Sequence, residues 1–379
     1  MSHKRTIRQR LAVGVAATAA LSVVSACSTT SSGGSSTQKP IAKKDIVLVA
    51  SVINTTNPYM ASMIQGAKAL SKKLGVPLQV VDSEGSSQTE ISKIQAIIAQ
   101  GKKVALMVNT VASSDAPPIV SAVKASGGYV TIWWNKPDNF NPTDVGNNFV
   151  AFQKHPGVTS GECTGDRLAD GMGNKGNILA LAGVLDSTTS QTRVAGLKEA
   201  LKQHPGVKLL ETRPGNWDPQ IAFKETQSAI AKYGNKINGV WAADDAMIIG
   251  AIDAIKRSGR INQVKFASDG LYPPVIDMMK QHMGNDAIVG ETFHRGYMAA
   301  AIGLYTSYLA ATGKINPSKL PPEKRNSLFK LSCVTPKTLS RYTKYDADIN
   351  GWIDSLIKHG PWNTQPVPLV GAGPEKLPS

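Results

Sequence analysis

The chain has little cysteine and lacks the short motifs that mark a metal-binding or catalytic protein. It contains 3 cysteines in 379 residues, and no CxxC pair or Cys/His cluster is present, which argues against a zinc site. It also has no GxxxxGK[ST] phosphate loop and no GxSxG nucleophile elbow. We therefore expect no metal, no cofactor, no ATP hydrolysis and no enzymatic activity.

Charged residues are scarce as well, at 18% of the chain, and no acidic residue precedes Asp45. The formal net charge is nevertheless +15, and Lys4, Arg5, Arg8 and Arg10 lie within the first ten residues. The remaining basic residues are dispersed, whereas a nucleic-acid-binding protein more often clusters them on one face. We expect no nucleic-acid partner, and we interpret the excess as a general attraction to an anionic cell envelope.

No apolar run reaches the length of a membrane-spanning helix, which needs about 20 residues. Leu11–Ala26 is apolar or small almost throughout, and the basic residues before it complete the pattern of a secretory signal. The run ends in Val24-Ser25-Ala26-Cys27, which resembles a bacterial lipobox. The resemblance implies that residues 1–27 are a lipoprotein signal peptide ending at a lipidated Cys27. An ordinary signal peptide with an incidental cysteine is the alternative.

The segment that follows, residues 28–44, is rich in serine, threonine and glycine and has no apolar period. Such a composition favours a flexible tether between an anchor and a folded domain. The sequence thus predicts an extracytoplasmic lipoprotein anchored to the cell membrane. In that oxidising location Cys163 and Cys333 can form a disulfide, although their spacing is equally compatible with two buried thiols.

From residue 45 onward, apolar runs of strand length alternate with amphipathic helical patterns. Ile46–Ile53 is typical of a parallel strand buried on both faces, and the helical pattern after it ends at Gly75. This alternation predicts a doubly wound parallel α/β sheet. It restarts near Asn177 and continues to a long helix over 297–312, so we expect two α/β lobes in series. A ligand is then expected between the lobes, at the carboxyl ends of the strands.

Four short motifs at predicted strand ends or helix starts carry a family resemblance. In chain order they are Asn57-Pro58-Tyr59, Thr192-Arg193-Val194-Ala195-Gly196-Leu197, Trp241-Ala242-Ala243-Asp244-Asp245 and Ala267-Ser268-Asp269-Gly270. Together they resemble the ribose- and galactose-type periplasmic sugar-binding proteins over residues 44–331. The resemblance implies the type I periplasmic-binding-protein fold, in which a three-segment hinge joins two lobes. It also implies a monomer that delivers its solute to a separate ABC permease and ATPase subunit.

The same resemblance sets the expected lobe boundaries. Residues 45–149 plus 295–329 are expected to form the N-terminal lobe. Residues 150–294 plus 330–379 are expected to form the C-terminal lobe, with a C-terminal extension packed on it. An amphipathic pattern over 346–358 predicts one helix in that extension.

The resemblance also implies a set of ligand-binding residues, which combine stacking rings with groups that hydrogen-bond hydroxyls. They are Asn57, Tyr59, Trp134, Asn135, Arg193, Trp217, Asp244, Asp269 and His294. Trp134 and Asn135 stand where the family usually has Asp-Arg, which suggests a ligand held more by stacking. Structural roles are the alternatives: a helix cap for Asn57, a core position for Tyr59 and a salt bridge for Arg193. Asp245 is expected to cap the helix that follows it.

These residues predict a monosaccharide or a sugar alcohol as the ligand, captured in the cleft for an ABC importer. Two other functions are compatible with the same scaffold. One is a membrane-tethered subunit that reports a ligand to a receptor, and the other is a binder of a nucleoside or an autoinducer.

Overall fold

Two mostly parallel sheets, one in each lobe, organise the part of the chain that the structure describes. The computed structural model describes residues 39–373 and residue 375, which belong to one unit, Lys39–Ser379. The prediction for Cys27 and for most of the tether lies outside these residues. The described strands are β1 (Ile46–Val52), β2 (Leu78–Asp82), β3 (Lys103–Asn109), β4 (Tyr129–Trp133), β5 (Phe149–Lys154), β6 (Gly176–Ala182), β7 (Val207–Pro214), β8 (Gly239–Ala242), β9 (Lys265–Ala267), β10 (Ile288–Phe293), β11 (Asn326–Phe329), β12 (Ser332–Val334) and β13 (Leu369–Ala372).

The first sheet has seven strands in the order β13-β11-β5-β4-β3-β1-β2, and the second has six in the order β12-β10-β9-β8-β6-β7. Every neighbouring pair is parallel except β11 with β13 and β10 with β12, which are antiparallel. The two sheets confirm the predicted fold of two parallel α/β lobes.

In the order of the chain, the α-helices are α1 (Pro58–Leu74), α2 (Ser87–Ile98), α3 (Ala116–Ala125), α4 (Pro142–Val145), α5 (Gly157–Gly171), α6 (Thr188–Gln203), α7 (Pro219–Tyr233), α8 (Asp245–Arg257), α9 (Pro273–Lys280), α10 (Met283–Asp286), α11 (Gly296–Ala311), α12 (Pro322–Arg325), α13 (Ser340–Thr343) and α14 (Ile349–His359). Among these described helices, none combines the length and the apolar character that crossing a bilayer demands.

Local sequence explains where the first strand and helix begin and end. All seven residues of β1 are buried, as expected for a central parallel strand covered by helices on both faces. The Asn57 side chain accepts a hydrogen bond from the backbone N–H of Tyr59, and Pro58 occupies the first helical position. Gly75 ends α1 at φ 60°, in the left-handed region that favours glycine. These signals place Asn57 and Tyr59 at the carboxyl edge of the first sheet.

The chain passes between the lobes three times, and the first passage differs from the predicted boundary. β5 (Phe149–Lys154) lies between β4 and β11 in the first sheet, so the chain leaves the first lobe after Lys154 and not at Phe149. The predicted boundary was wrong because the buried run Phe149–Phe152 is itself a strand that completes this sheet. The second passage lies between β10 and α11, at Arg295, and the third lies between β11 and β12.

The C-terminal extension does not pack where it was expected, because only β12 of residues 330–373 joins the second sheet. β13 instead pairs with β11 at the edge of the first sheet, and α14 packs on α1 and α11. The apolar face of α14 explains this placement, since Trp352, Ile353 and Leu356 are buried. Assigning 330–379 to the second lobe was therefore wrong for most of the extension.

A disulfide joins the two cysteines of the described chain. Cys163 of α5 and Cys333 of β12 are bonded, with their Cα atoms 6.0 Å apart. Of the two alternatives for these residues, the structure thus shows the disulfide. It ties the short strand that follows the third passage to the body of the second lobe.

Candidate ligand-binding cleft

A small buried cavity lies between the lobes, where the strands of both sheets end. Its volume is about 30 Å³, far below the roughly 300–1,000 Å³ of most small-molecule pockets. The lobes are closed on each other, so a larger molecule can enter only when they separate. The lining side chains come from both lobes: Ile53, Tyr59, Met60, Asn109, Trp134, Asn135, Thr189, Arg193, Trp217, Asp244, Tyr272 and His294.

Seven of the nine predicted ligand residues line this cavity, and the other two bond to residues that do. Asn57 donates from Nδ2 to Asp244 Oδ2 across the cleft at 2.9 Å and to the Trp217 carbonyl at 3.2 Å. Its Oδ1 accepts from the Tyr59 N–H at 2.8 Å. Asn57 is therefore both the cap of α1 and a link between the lobes, and its ligand contact stays a prediction.

Asn135 is also committed to contacts between the lobes. Its Oδ1 accepts from Ser187 Oγ at 2.7 Å and from the Thr189 N–H at 3.2 Å, both on the second lobe. Its Nδ2 donates to the Thr110 carbonyl at 3.3 Å. Since both polar atoms already have protein partners, the structure gives Asn135 a role in lobe closure besides any contact with a ligand.

Arg193, Asp269 and His294 form a buried polar network in the second lobe. Arg193 lies in the second turn of α6, and its Nη2 lies 2.7 Å from Asp269 Oδ1. Its Nη1 donates to the Ala243 carbonyl at 2.6 Å. His294 Nε2 hydrogen-bonds Asp269 Oδ1, and Ser160 donates from its hydroxyl to Asp269 Oδ2. Asp269 thus stands behind the cavity wall and fixes the two residues that face the cavity.

The electrostatics of this network leave the cleft with little net charge. Burial by itself would raise the pKa of Asp269, but Arg193 and His294 outweigh that effect and hold the pKa below its ordinary value. Burial lowers the pKa of His294, so its imidazole is neutral at neutral pH. The Arg193 charge is therefore compensated within the protein, which suits an uncharged ligand.

Asp244 connects the same wall to the first lobe. It is the N-cap of α8, since its Oδ1 accepts from the Met247 N–H at 3.0 Å. Burial raises the pKa of Asp244 to about 7. Asp245 was expected to be the cap and is instead the first helical residue. Its carboxylate accepts from Ser268 Oγ and from the Tyr272 N–H, so it holds both ends of the loop between β9 and α9.

Aromatic rings from both lobes cover the cavity. Tyr59 and Tyr272 stack across the cleft with ring centroids 5.6 Å apart, and Trp134 meets the edge of Tyr59 at 6.0 Å. The Arg193 guanidinium lies 4.9 Å from the Trp134 ring centroid, a cation–π distance. Trp134 (φ 73°) and Trp217 (φ 61°) both have left-handed backbones, which cost a residue with a Cβ about 1–3 kcal/mol. The surrounding structure therefore holds both indoles in strained positions at the cleft.

Gly183 is required for one of these indoles to fit. A Cβ at Gly183 would lie 2.0 Å from Cζ2 of Trp217, so the indole would have to move. The loop after β6 therefore packs directly against the Trp217 ring. Any larger residue at 183 would push the indole into the cavity.

Several polar atoms at the cavity have no protein partner, although buried polar groups are normally hydrogen-bonded. They are Tyr59 Oη, Asn109 Oδ1, Arg193 Nε, Trp217 Nε1 and His294 Nδ1. The set contains donors, an acceptor and one atom whose role depends on the tautomer. A ligand that both donates and accepts hydrogen bonds would satisfy all of them.

The structure adds residues that the sequence reasoning missed. The cavity is also lined by five residues that were not predicted: Ile53, Met60, Asn109, Thr189 and Tyr272. Asn109 had a usable signal, because it is the last residue of β3 and the carboxyl ends of parallel strands meet at the ligand. Tyr272 had none, since it reaches the cleft through a turn in which Leu271 has φ 52°.

Two parallel-sheet lobes that close on a shared cleft define a hinged binding protein of the type I periplasmic-binding-protein fold. Residues 48–306 match the family described as periplasmic binding protein domain, which is more than half of the chain. The chain therefore belongs to this family. Its location is accordingly extracytoplasmic at the level of the family.

Among curated proteins, the chain is 26% identical over 222 residues to the ribose import binding protein of Haemophilus influenzae, covering 58% of this chain and 71% of that protein. It is 26% identical over 236 residues to the xylitol-binding protein of Mycolicibacterium smegmatis, covering 61% and 64%. Among solved structures, a twin-arginine translocation pathway signal protein from Burkholderia phytofirmans is 30% identical. It has a TM-score of 0.81 and covers 89% of this chain and 100% of that chain.

Proposed function

We propose that this protein captures a monosaccharide or a sugar alcohol between its lobes and delivers it to an ABC importer. The observation that carries the proposal is the composition of the cavity wall. Aromatic rings alternate there with polar atoms that lack a protein partner, and the one buried guanidinium is already neutralised by Asp269. A neutral, polyhydroxylated molecule matches each of these features.

The hydroxyl groups and the apolar face of a sugar match the two kinds of group in the cavity wall. Each hydroxyl group of a sugar can donate and accept a hydrogen bond, so it can pair with Trp217 Nε1 or Arg193 Nε as an acceptor and with Asn109 Oδ1 as a donor. The apolar CH face of the sugar can pack on an indole or phenol ring. Both kinds of contact come from both lobes, so a bound ligand stabilises the closed arrangement over the open one.

The relatives support this assignment. Two of them are named for ribose import and for xylitol binding. We infer that this chain, like them, binds and releases its ligand rather than converting it, and that a permease and an ATPase on separate chains complete the importer.

A thermal-shift panel tests the proposal. The chain from Lys39 to Ser379 keeps every helix and strand described above, and it would be heated with pentoses, hexoses and sugar alcohols. A ligand present at about 100 times its Kd adds about 2.7 kcal/mol to the free energy of unfolding, which is a clear shift. Sugar acids of equal size are the matched controls and should shift less, because the cleft holds no uncompensated cation for their carboxylate. A folded protein that responds to nucleosides or autoinducers and to no sugar or polyol would contradict the proposal.

We further propose that Cys27, which lies outside the described residues, is lipidated and anchors the protein to the cell membrane. The lipobox resemblance and the polar segment behind it support this. Mass spectrometry of the N-terminal peptide from membrane-extracted protein should show acyl chains on Cys27. A mature chain that begins at another residue, or an unmodified Cys27, would rule out the anchor.

A further inference from the structure

We propose that the described part of the C-terminal extension, residues 335–373 and residue 375, is a hinge strap that holds the two lobes in their closed arrangement. Its helix α14 and strand β13 are fixed to the first lobe, and it bonds to each of the three segments through which the chain passes between the lobes. The inference concerns the hinge and not the ligand, so it goes beyond the proposed function.

The hinge strap is first anchored on the N-terminal lobe. β13 adds an antiparallel strand to β11, and Lys330 donates its N–H to the Pro368 carbonyl at 2.9 Å. Trp362 donates from Nε1 to Ser327 Oγ at 3.1 Å. Trp352 of α14 meets the ring of Tyr297 on α11 edge-on, with centroids 5.5 Å apart. These contacts tie α14 and β13 to the first lobe, whereas the rings of Tyr342 and Tyr345, earlier in the strap, pack on Phe293 of β10 in the second lobe.

At the first passage the strap reaches the second lobe through Glu375. Its carboxylate accepts from the backbone N–H groups of Gly157 at 2.6 Å and Val158 at 2.9 Å. These groups begin α5, whose N-terminus favours a negative charge. The same carboxylate lies 2.9 Å from Lys154 Nζ at the end of β5, and the Lys154 side chain is only 4% exposed. Glu375 therefore bridges the last residue of one lobe and the first helix of the other.

At the second passage the contact is made by Asp346. Its two carboxylate oxygens lie 2.7 Å and 2.9 Å from Nε and Nη2 of Arg295, a two-point pairing. Arg295 is the residue between β10 and α11, and its Nη1 also donates to the Gly270 carbonyl of the second lobe at 3.2 Å. The guanidinium packs 4.5 Å from the ring centroid of Phe293. Asp346 thus fixes the residue about which this passage must turn.

Opening of the cleft must change the backbone angles of these short passages. The start of α5 and the end of β10 then move relative to the first lobe, whereas Glu375 follows β13, which is paired into that lobe's sheet. The bonds of Glu375 to α5 and the alignment of Asp346 with Arg295 would be lost or distorted. Because the closed arrangement contains these bonds and opening would disturb them, we expect the hinge strap to shift the equilibrium toward closure before any ligand binds.

The distance across the cleft mouth measures this equilibrium without a ligand. Spin labels on Thr56→Cys and Gln220→Cys, both exposed and on opposite lobes, report it by pulsed electron resonance. In the chain from Lys39 to Ser379, Glu375→Gln combined with Asp346→Asn should raise the population at the longer, open distance at least about threefold. Asp354→Asn is the matched control, because this carboxylate of α14 pairs with Lys73 of α1, far from the passages and half exposed.

An open population that stays the same in the double variant, with the labels reporting one folded distance distribution, would overturn the proposal. Each single variant is measured as well, so a defect in folding of the double variant does not hide the result. A threefold change in the control would also count against the proposal, because it would show a general effect of lost charge. None of these readouts needs a sugar, so a failed ligand panel and a failed hinge strap remain distinguishable.

Discussion

Replacing Arg193 by methionine should lower the free energy of unfolding by about 3–5 kcal/mol, the usual cost of leaving a buried charge without its partner. Arg193 and Asp269 are 4% and 1% exposed and lie 2.7 Å apart, so solvent cannot replace the lost guanidinium. If the cleft binds a sugar or polyol, affinity should also fall by roughly 10- to 100-fold, since a hydrogen bond to a charged group contributes about 1.5–3 kcal/mol. Chemical unfolding and calorimetric titration measure the two effects.

Two further variants separate the effect on stability from the effect on ligand affinity. Arg257→Met removes an arginine that is 67% exposed and paired with Asp253 on the surface, so it should change stability by about 1 kcal/mol at most. Arg193→Met combined with Asp269→Asn removes the uncompensated charge and should recover part of the stability, but not the affinity. Full recovery of affinity in this double variant would show that Arg193 is a structural residue only.

The cost of Arg193→Met should depend on pH in a defined direction. The folded-state pKa of Asp269 lies below its ordinary value, so this group stabilises the fold above about pH 4 and loses that contribution as the pH falls. Without Arg193, burial raises that pKa, opposed only by His294 and the Ser160 hydroxyl. The stability difference between the wild type and Arg193→Met should therefore be largest near pH 7 and shrink below pH 4. A difference that is constant over this range would contradict the assigned charge pair.

Periodicity in the sequence was enough for most strands and helices of both lobes, because parallel strands buried on both faces leave continuous apolar runs. It failed for α5 (Gly157–Gly171), which contains glycine at 157, 161, 165 and 171 and so looks like a loop. In the extension it predicted the helix α14 (Ile349–His359) but not the strand β13 (Leu369–Ala372). The pairing of β13 with β11 is a contact between segments far apart in sequence, and nothing in either short segment specifies the partner.

Most of the residues of the cleft were predicted from the sequence, but their contacts were not. The family resemblance located seven cavity-lining residues, most of which lie where strands end at the shared edge of a sheet. Their contacts could not be read in the same way. Asn57 and Asn135 turned out to bond the opposite lobe, and that depends on how the lobes close. Tyr272 reaches the cavity through the turn after Gly270, and nothing in the sequence indicates that Leu271 itself is left-handed, at φ 52°.

Gly161→Ala tests the close contact between α5 and α6, which the sequence did not predict. The substitution should destabilise the protein by about 1–3 kcal/mol through overpacking. A Cβ at Gly161 would lie 2.0 Å from the Arg193 carbonyl oxygen and 2.6 Å from the Leu197 nitrogen. Both are backbone atoms of α6, so α5 and α6 would have to separate. The cost of this separation should exceed the roughly 1 kcal/mol by which alanine is more favourable than glycine in a helix interior.

The position of the clash is what links Gly161→Ala to the cleft. Because the Cβ would press on the carbonyl of Arg193 itself, α6 would shift at the residue that pairs with Asp269. Affinity should therefore fall along with stability, although no cavity-lining side chain is changed. Gly371→Ala on β13, where a Cβ would meet no atom within 4 Å, is the control and should leave both nearly unchanged. A Gly161→Ala protein of wild-type stability and affinity would show that α5 and α6 can separate freely, and the close helix contact would then not be what positions Arg193.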